Sequence, residues 1–261
     1  MPVLIELLTG MLGQPPSVLL LLAVAGAFMV GGLVKGLLGV GLPLITVPLL
    51  ALVIPSPKAI ALMVMPIVLS NLWQSAVGGH TRSALKRFSS LLVPMVILTA
   101  ITARLTFDLP VRTLNILVGA AVLIATGMIA WQPQLHVAPH VERRWGALVG
   151  VLTGILGGIS SLMGPFLISY LVALRLPREV FVGSISLIYL AGAAPLYLVM
   201  ALSGVLGWGE IAASALALAP MSLGMLVGTR LRQHVSEARF RKLMLVFLVC
   251  VAVALFVRSG A

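Results

Sequence analysis

Gly32-Leu-Val-Lys-Gly-Leu-Leu-Gly-Val-Gly-Leu-Pro43 interrupts a long apolar segment and decides the fold of this chain. A second stretch, Gly150-Val-Leu-Thr-Gly-Ile-Leu-Gly-Gly-Ile-Ser-Ser-Leu-Met-Gly-Pro165, interrupts another. Both contain the pattern G-x3-G-x2-G before a proline, and Gly150 follows Gly32 by 118 residues. One such motif is equally typical of a helix-packing face. Its recurrence at matching places indicates an internal duplication.

The composition predicts an integral membrane protein. Of the 261 residues, 61% are hydrophobic and 9% are charged, whereas soluble domains carry about 25% charged residues. The net charge of +11 does not indicate a nucleic-acid partner, because no basic stripe alternates with aromatic residues. The single cysteine, Cys250, lies in an apolar stretch and cannot form an internal disulfide. We therefore expect an all-α, polytopic transmembrane helix bundle embedded in a lipid bilayer.

Apolar runs divide the chain into helical pieces at 17–38, 43–54, 59–78, 89–106, 112–131, 146–158, 164–175, 179–202, 209–229 and 240–257. A helix needs about 20 residues to cross a bilayer, so the pieces at 43–54, 146–158 and 164–175 are short. We predict eight to ten membrane helices in two transmembrane repeats, 1–134 and 142–261. Each repeat begins with a broken helix or a helical hairpin.

The loop charges predict that the two repeats have inverted topology. If each broken pair returns the chain to its starting side, twelve of the 17 basic residues share one face: Arg82, Lys86, Arg87, Arg143, Arg144, Arg175, Arg178, Arg230, Arg232, Arg239, Arg241 and Lys242. The opposite face has four: Lys58, Arg104, Arg112 and Arg258. The first face is then cytoplasmic, and both termini are extracytoplasmic. Inverted repeats with broken helices are typical of transporters that bind substrate near the midplane.

The two breaks carry the features of an anion site. Pro43 and Pro165 favour the first turn of a restarting helix, whose free N–H groups bind anions. Residues 1–17 contain Glu6 and no basic residue, so we expect no cleavable secretory signal ahead of the first break. Glycines would let a ligand approach the backbone closely, and the candidates are Gly39, Gly41, Gly157, Gly158 and Gly164.

Lys35 is a lone cation inside the first apolar run, and its counterpart in the second repeat is Thr153. An intramembrane ionisable residue indicates a functional site, although a lysine can also extend to the membrane interface. The amides of Asn71 and Gln74 are costly to bury unpaired and are further candidates. Hydroxyl groups complete the predicted substrate-binding set: Ser160, Ser161, Ser186 and Tyr189.

Enzymatic chemistry has little support. The six acidic residues and the four histidines fall in or beside connectors, and neither H-E-x-x-H nor G-x-S-x-G occurs. We predict no catalytic residue, no metal and no cofactor. The alternative to an anion transporter is a non-transporting membrane scaffold or assembly protein. An enzyme acting on a lipid-linked anion comes third. The sequence leaves the oligomeric state open, with a homodimer as one alternative.

The two breaks and the repeat layout resemble the sulfite exporter TauE/SafE family of membrane transport proteins. The first motif of that family reads as a glycine triplet before V-P-x-L. Here it stands as Gly39-Val-Gly-Leu-Pro43 followed by Val47-Pro-Leu-Leu50, and the second motif keeps Gly164-Pro165. The resemblance implies secondary export of sulfite, a sulfonate such as sulfoacetate, or a related small organic anion across a bacterial inner membrane.

Overall fold

The structure, a computed structural model, describes residue 10 and residues 15–78, 81–131, 137–232, 234 and 237–260. Within these residues the chain forms α-helices and short turns, with no β-strand. The helices are α1 (Val18–Leu38), α2 (Leu42–Ala51), α3 (Ser56–Ala61), α4 (Val64–Gly78), α5 (Thr81–Arg87), α6 (Ser89–Phe107), α7 (Val111–Trp131), α8 (Glu142–Ser160), α9 (Gly164–Ala173), α10 (Arg178–Leu202), α11 (Trp208–Leu216), α12 (Leu218–Leu231) and α13 (Glu237–Gly260).

The prediction of an all-α transmembrane bundle is confirmed. Six described stretches are long and apolar enough to cross a membrane: Val18–Leu38, Ser56–Ala76, Ser89–Phe107, Val111–Trp131, Glu179–Leu202 and Trp208–Leu231. Shorter apolar helices occupy Leu42–Ala51, Gly164–Ala173 and Met244–Arg258. The first two of these follow the two glycine-rich breaks, so each break joins a long helix to a short one.

The helix bounds differ from the predicted pieces in several places, and α5 (Thr81–Arg87) lies in a stretch predicted as a connector. The predicted piece 146–158 is too short, because α8 begins at Glu142 and spans 19 residues. A carboxylate in the first turn favours that earlier start through its interaction with the helix dipole. The pieces 59–78 and 209–229 are each divided into two helices, at Leu62–Met63 and at Ala217 respectively.

Left-handed backbone makes both breaks abrupt. Gly39 caps α1 with φ 81°, and Gly41 precedes α2 with φ 96°, a region that L side chains rarely occupy. In the second break Ser161 takes the left-handed position after α8, with φ 62°. Pro43 and Pro165 both lie in the first turn of the following helix, as predicted. Each short helix therefore starts inside the bundle with N–H groups that have no partner within the helix.

Glycines bring α1 and α12 into backbone contact. A Cβ added at Gly32 would lie 2.1 Å from the carbonyl oxygen of Met221, and one at Gly36 would lie 2.3 Å from that of Met225. The contact is reciprocal, since a Cβ at Gly224 would lie 2.0 Å from the carbonyl oxygen of Met29. Such small-residue faces let helix backbones approach closely in membranes.

The corresponding glycines of α8 contact α6 in the same way. A Cβ added at Gly150 would lie 2.2 Å from the carbonyl oxygen of Leu91, and one at Gly154 would lie 2.7 Å from that of Met95. The long helix before each break therefore packs against a helix from the other predicted repeat. The helices before both breaks are therefore held by contacts that cross between the predicted repeats.

Two ion pairs also connect the predicted repeats. Arg87 forms a bidentate pair with Glu142, with Nε–Oε1 and Nη2–Oε2 distances of 2.7 and 3.1 Å. Lys58 pairs with Glu210, whose other carboxylate oxygen accepts a hydrogen bond from the Gly207 N–H. The two hydrogen bonds of the Arg87 pair fix the orientation of the guanidinium relative to the carboxylate as well as the distance between them. These pairs tie α5 to α8 and α3 to α11.

Candidate functional site

A cavity lies beside the first break, where the end of α1 and the beginning of α2 face α4 and α10. We call it the first cavity. Its lining includes six predicted site residues, namely Lys35, Gly39, Gly41, Pro43, Asn71 and Tyr189. Val40, Leu42 and Ile67 complete the lining. The fold thus brings together candidates that are separated by up to 154 residues, from Lys35 to Tyr189, in the sequence.

Lys35 provides the positive charge of the first cavity. Its side chain is buried, with 5% of the residue exposed, and Nζ donates a hydrogen bond of 2.9 Å to Ser70 Oγ. Ser70 Oγ in turn donates to the carbonyl oxygen of Pro66, at 2.5 Å. The hydrogen-bond partner of Lys35 is therefore a neutral hydroxyl that already donates its own proton to a backbone carbonyl. The ammonium group is held inside the protein with its charge uncompensated by that partner.

Amide side chains of α4 surround the same break. Asn71 Nδ2 donates to the carbonyl oxygen of Ile67 at 2.9 Å, which uses one of its amide hydrogens. Gln74 Oε1 accepts a hydrogen bond of 3.1 Å from Ser186 Oγ, and its Nε2 lies 3.5 Å from the carbonyl oxygen of Gly39. Gln74 and Ser186 are outside the lining, where they join α4 to α10 next to the break.

A second cavity lies beside the second break. It shares Gly41, Pro43 and Tyr189 with the first cavity and adds Ser161, Gly164 and Pro165 from the predicted set. The remaining lining residues are Leu44, Ile129, Leu162, Met163 and Ile168. The second cavity is therefore lined by the beginnings of both short helices, α2 and α9.

Tyr189 stands between the two cavities. Its residue is 6% exposed, and its hydroxyl forms no hydrogen bond with the part of the chain that the structure describes. The ring reaches the start of α9 so closely that a Cβ added at Gly164 would lie 2.6 Å from the Tyr189 hydroxyl oxygen. A phenolic hydroxyl that borders both cavities can donate a hydrogen bond to a ligand with acceptor atoms.

The other predicted glycines and Ser160 pack against protein instead. A Cβ at Gly158 would lie 1.9 Å from Thr102 Oγ1, and one at Gly157 would lie 2.8 Å from Met163 Cγ. Ser160 Oγ donates to the carbonyl oxygen of Leu156 at 2.8 Å. These three residues are outside both linings, so the structure places them in helix packing and in the end of α8.

Ser70 contacts Lys35 but was not among the predicted site residues. It is adjacent to Asn71 on α4, and a serine within an apolar helix satisfies its own backbone more often than it contacts a ligand. The sequence signal was a run of polar side chains, Ser70, Asn71, Gln74 and Ser75, along a span. Nothing in that run identifies which of its members contacts Lys35, because that contact depends on how α1 and α4 are placed.

The donor set of the cavities suits an oxyanion. It combines an ammonium group, an amide, a phenolic hydroxyl and two helix beginnings, and no carboxylate occurs among the described lining residues. Groups of three or more potential metal ligands are also absent from the described residues. Charge-assisted hydrogen bonds from such donors are among the stronger contacts available to an anion.

The comparison with protein families agrees with this geometry. Residues 23–255 match the family model described as "Sulfite exporter TauE/SafE". No curated protein and no solved structure matches the chain. The match extends over both breaks, both cavities and the helices that form them. The chain therefore belongs to the sulfite exporter TauE/SafE family, whose members are membrane transporters of sulfite-like anions.

Proposed function

We propose that this protein exports a small anion across a bacterial inner membrane. The candidates are sulfite, a sulfonate such as sulfoacetate, and related organic anions. The observation that carries the proposal is the pair of adjoining cavities, in which Lys35 lies beside the beginning of α2 and Tyr189 lies beside the beginnings of both α2 and α9. Both helix beginnings favour negative charge. The protein would act as a secondary transporter without a cofactor.

Alternating access of two inverted halves, 1–134 and 142–261, is the proposed mechanism. The packing of α1 on α12 and of α8 on α6 supports it, because the helix before each break contacts the other half through matching glycines. Rocking of one half against the other would then move both breaks together. In this arrangement both termini are extracytoplasmic.

The membrane potential can drive export without a coupled ion. A monoanion that leaves a cell interior at about −100 mV gains roughly 2.3 kcal/mol. This corresponds to an outward bias of about fiftyfold in concentration. A uniporter would therefore suffice for efflux of a toxic or surplus anion.

The proposal is tested by flux in proteoliposomes. Purified protein is reconstituted and supplied with sulfite, sulfoacetate, taurine, thiosulfate, sulfate or small carboxylates, with protein-free vesicles as the control. We expect saturable movement of at least one sulfur oxyanion, and an imposed membrane potential should change its rate. If a folded, reconstituted protein moves none of these compounds, a non-transporting membrane scaffold is the better interpretation.

The Tyr189 hydroxyl should bind the transported anion. Tyr189→Phe is expected to raise the KM for transport about tenfold, which corresponds to the loss of one hydrogen bond to a charged group. Thermal stability should change little, because phenylalanine keeps the aromatic ring and its packing. The matched control is Tyr170→Phe, whose hydroxyl donates to the carbonyl oxygen of Glu142 outside both cavities. Equal KM values for the two variants would show that the Tyr189 hydroxyl does not bind the transported anion.

A further inference from the structure

The charge inventory of the two cavities is unusually simple. Among the described residues that line them, Lys35 alone carries a formal charge. Asn71, Ser161 and Tyr189 are neutral polar residues, and the rest are glycine, proline or apolar side chains. The hydrogen-bond partner of Lys35, Ser70, is neutral as well. The side chains of the site therefore sum to a single positive charge.

The helix ends at the breaks leave that sum unchanged. The dipole of a helix is equivalent to roughly half a positive charge at its beginning and half a negative charge at its end. The beginnings of α2 and α9 face the cavities, but α1 ends at Leu38 and α8 ends at Ser160, only a few residues away in each break. Two positive helix beginnings and two negative helix ends therefore meet at the breaks. The beginnings supply N–H donors for an anion, while the four partial charges sum to about zero.

We propose that the site selects monoanions over dianions, so that hydrogen sulfite and singly charged sulfonates are the transported species. The inference rests on the proposed transport function and orders the candidate substrates within it. A monoanion beside Lys35 makes a neutral complex. A dianion leaves one uncompensated negative charge in the protein interior of a membrane domain, where ionised groups are costly.

A matched pair of substrates tests this inference directly. Isethionate and sulfoacetate have the same two-carbon sulfonate skeleton, but isethionate ends in a hydroxyl and sulfoacetate ends in a carboxylate that is ionised at neutral pH. With zero membrane potential, we expect isethionate to be transported at least about tenfold faster than sulfoacetate at equal concentration. Transport of sulfoacetate at the same rate as isethionate, or faster, would overturn the inference while leaving the transport function intact.

Sulfite offers a second test, because it changes from monoanion to dianion near neutral pH. The rate per total sulfite should fall as the pH rises through that ionisation, in proportion to the remaining monoanion. Isethionate stays a monoanion over the same range, so its profile reports titration of the protein itself. The titratable side chains that line the cavities are Lys35 on α1 and Tyr189 on α10, and α2, α4 and α9 contribute none. A sulfite profile that parallels that of isethionate would contradict monoanion selection.

A second fixed cation should reverse the preference. Asn71→Lys places an additional ammonium group in the first cavity, and we expect the ratio of sulfoacetate to isethionate flux to rise about tenfold or more. The ratio is measured within one preparation, so it does not depend on the amount of folded protein. If this variant does not fold, the comparison of isethionate with sulfoacetate in the unaltered protein still tests the inference. If neither isethionate nor sulfite moves at any pH, the proposed transport function itself fails.

Discussion

Replacing Lys35 with glutamine is expected to lower anion flux about a hundredfold. The variant keeps a side chain of similar length but leaves the bound anion without its counter-charge, and an uncompensated charge in a membrane interior costs about 3 kcal/mol. The measurement is initial flux of sulfite or isethionate in proteoliposomes with matched protein content. The reduction should appear at saturating as well as at low substrate concentration, because the charge is also needed as the anion crosses the bundle.

Lys86→Gln is the control for this change. Lys86 is an exposed lysine of α5, outside both cavities, so the same substitution there should leave flux within about twofold of the unaltered protein. Thermal unfolding supplies a second readout. Lys35→Gln should be at least as stable as the parent, because it removes a buried ammonium group. Unchanged flux in the Lys35→Gln variant would show that the cation is not part of the transport site.

Adding one methyl group at Gly32 should have the largest effect on stability. The Cβ of Gly32→Ala would lie 2.1 Å from the carbonyl oxygen of Met221, so α1 and α12 must separate. Overpacking of this kind costs about 3 kcal/mol, or roughly 6–12 °C in the midpoint of thermal unfolding. Gly150→Ala should behave in the same way, because its Cβ would lie 2.2 Å from the carbonyl oxygen of Leu91.

Gly26→Ala provides a matched control on the same helix as Gly32. A Cβ at Gly26 meets no atom within 4 Å, and alanine favours helix over glycine by about 1 kcal/mol. The two substitutions should therefore change stability in opposite directions. Thermal unfolding in detergent, followed by size-exclusion recovery, measures both. Equal midpoints for Gly26→Ala and Gly32→Ala would mean that the close contact between α1 and α12 is absent in the folded protein.

The helical class and the positions of the breaks could be predicted because they depend on local chemistry. Low charge, long apolar runs and glycine followed by proline determine where helices exist and end. The predicted sites also included residues that gather at the cavities, such as Lys35 and Tyr189. Lys35 was identified as a charge inside a membrane span, and Tyr189 as a polar side chain in the helix that follows the second break.

Contacts between helices that are distant in the sequence could not be predicted in the same way. Glycine suits both close ligand approach and close helix packing, and only the position of the opposing helix distinguishes the two. Gly158 was predicted as a site residue, and in the structure it packs against α6, with Thr102 Oγ1 only 1.9 Å from where its Cβ would lie. The hydrogen bond from Lys35 to Ser70 is equally non-local, since it depends on the placement of α4 beside α1.

The contact between Gly32 and Met221 also sets an order of events during synthesis. The two residues are 189 positions apart, so at about 5–20 residues per second the ribosome needs roughly 10–40 s to reach Met221 after Gly32. During that interval α1, with its lysine, resides in the bilayer before its packing partner exists. Until α12 is synthesised, α2 is a packing partner that is already available to α1. The packing of α1 against α12 is thus one of the last steps in the biogenesis of the protein.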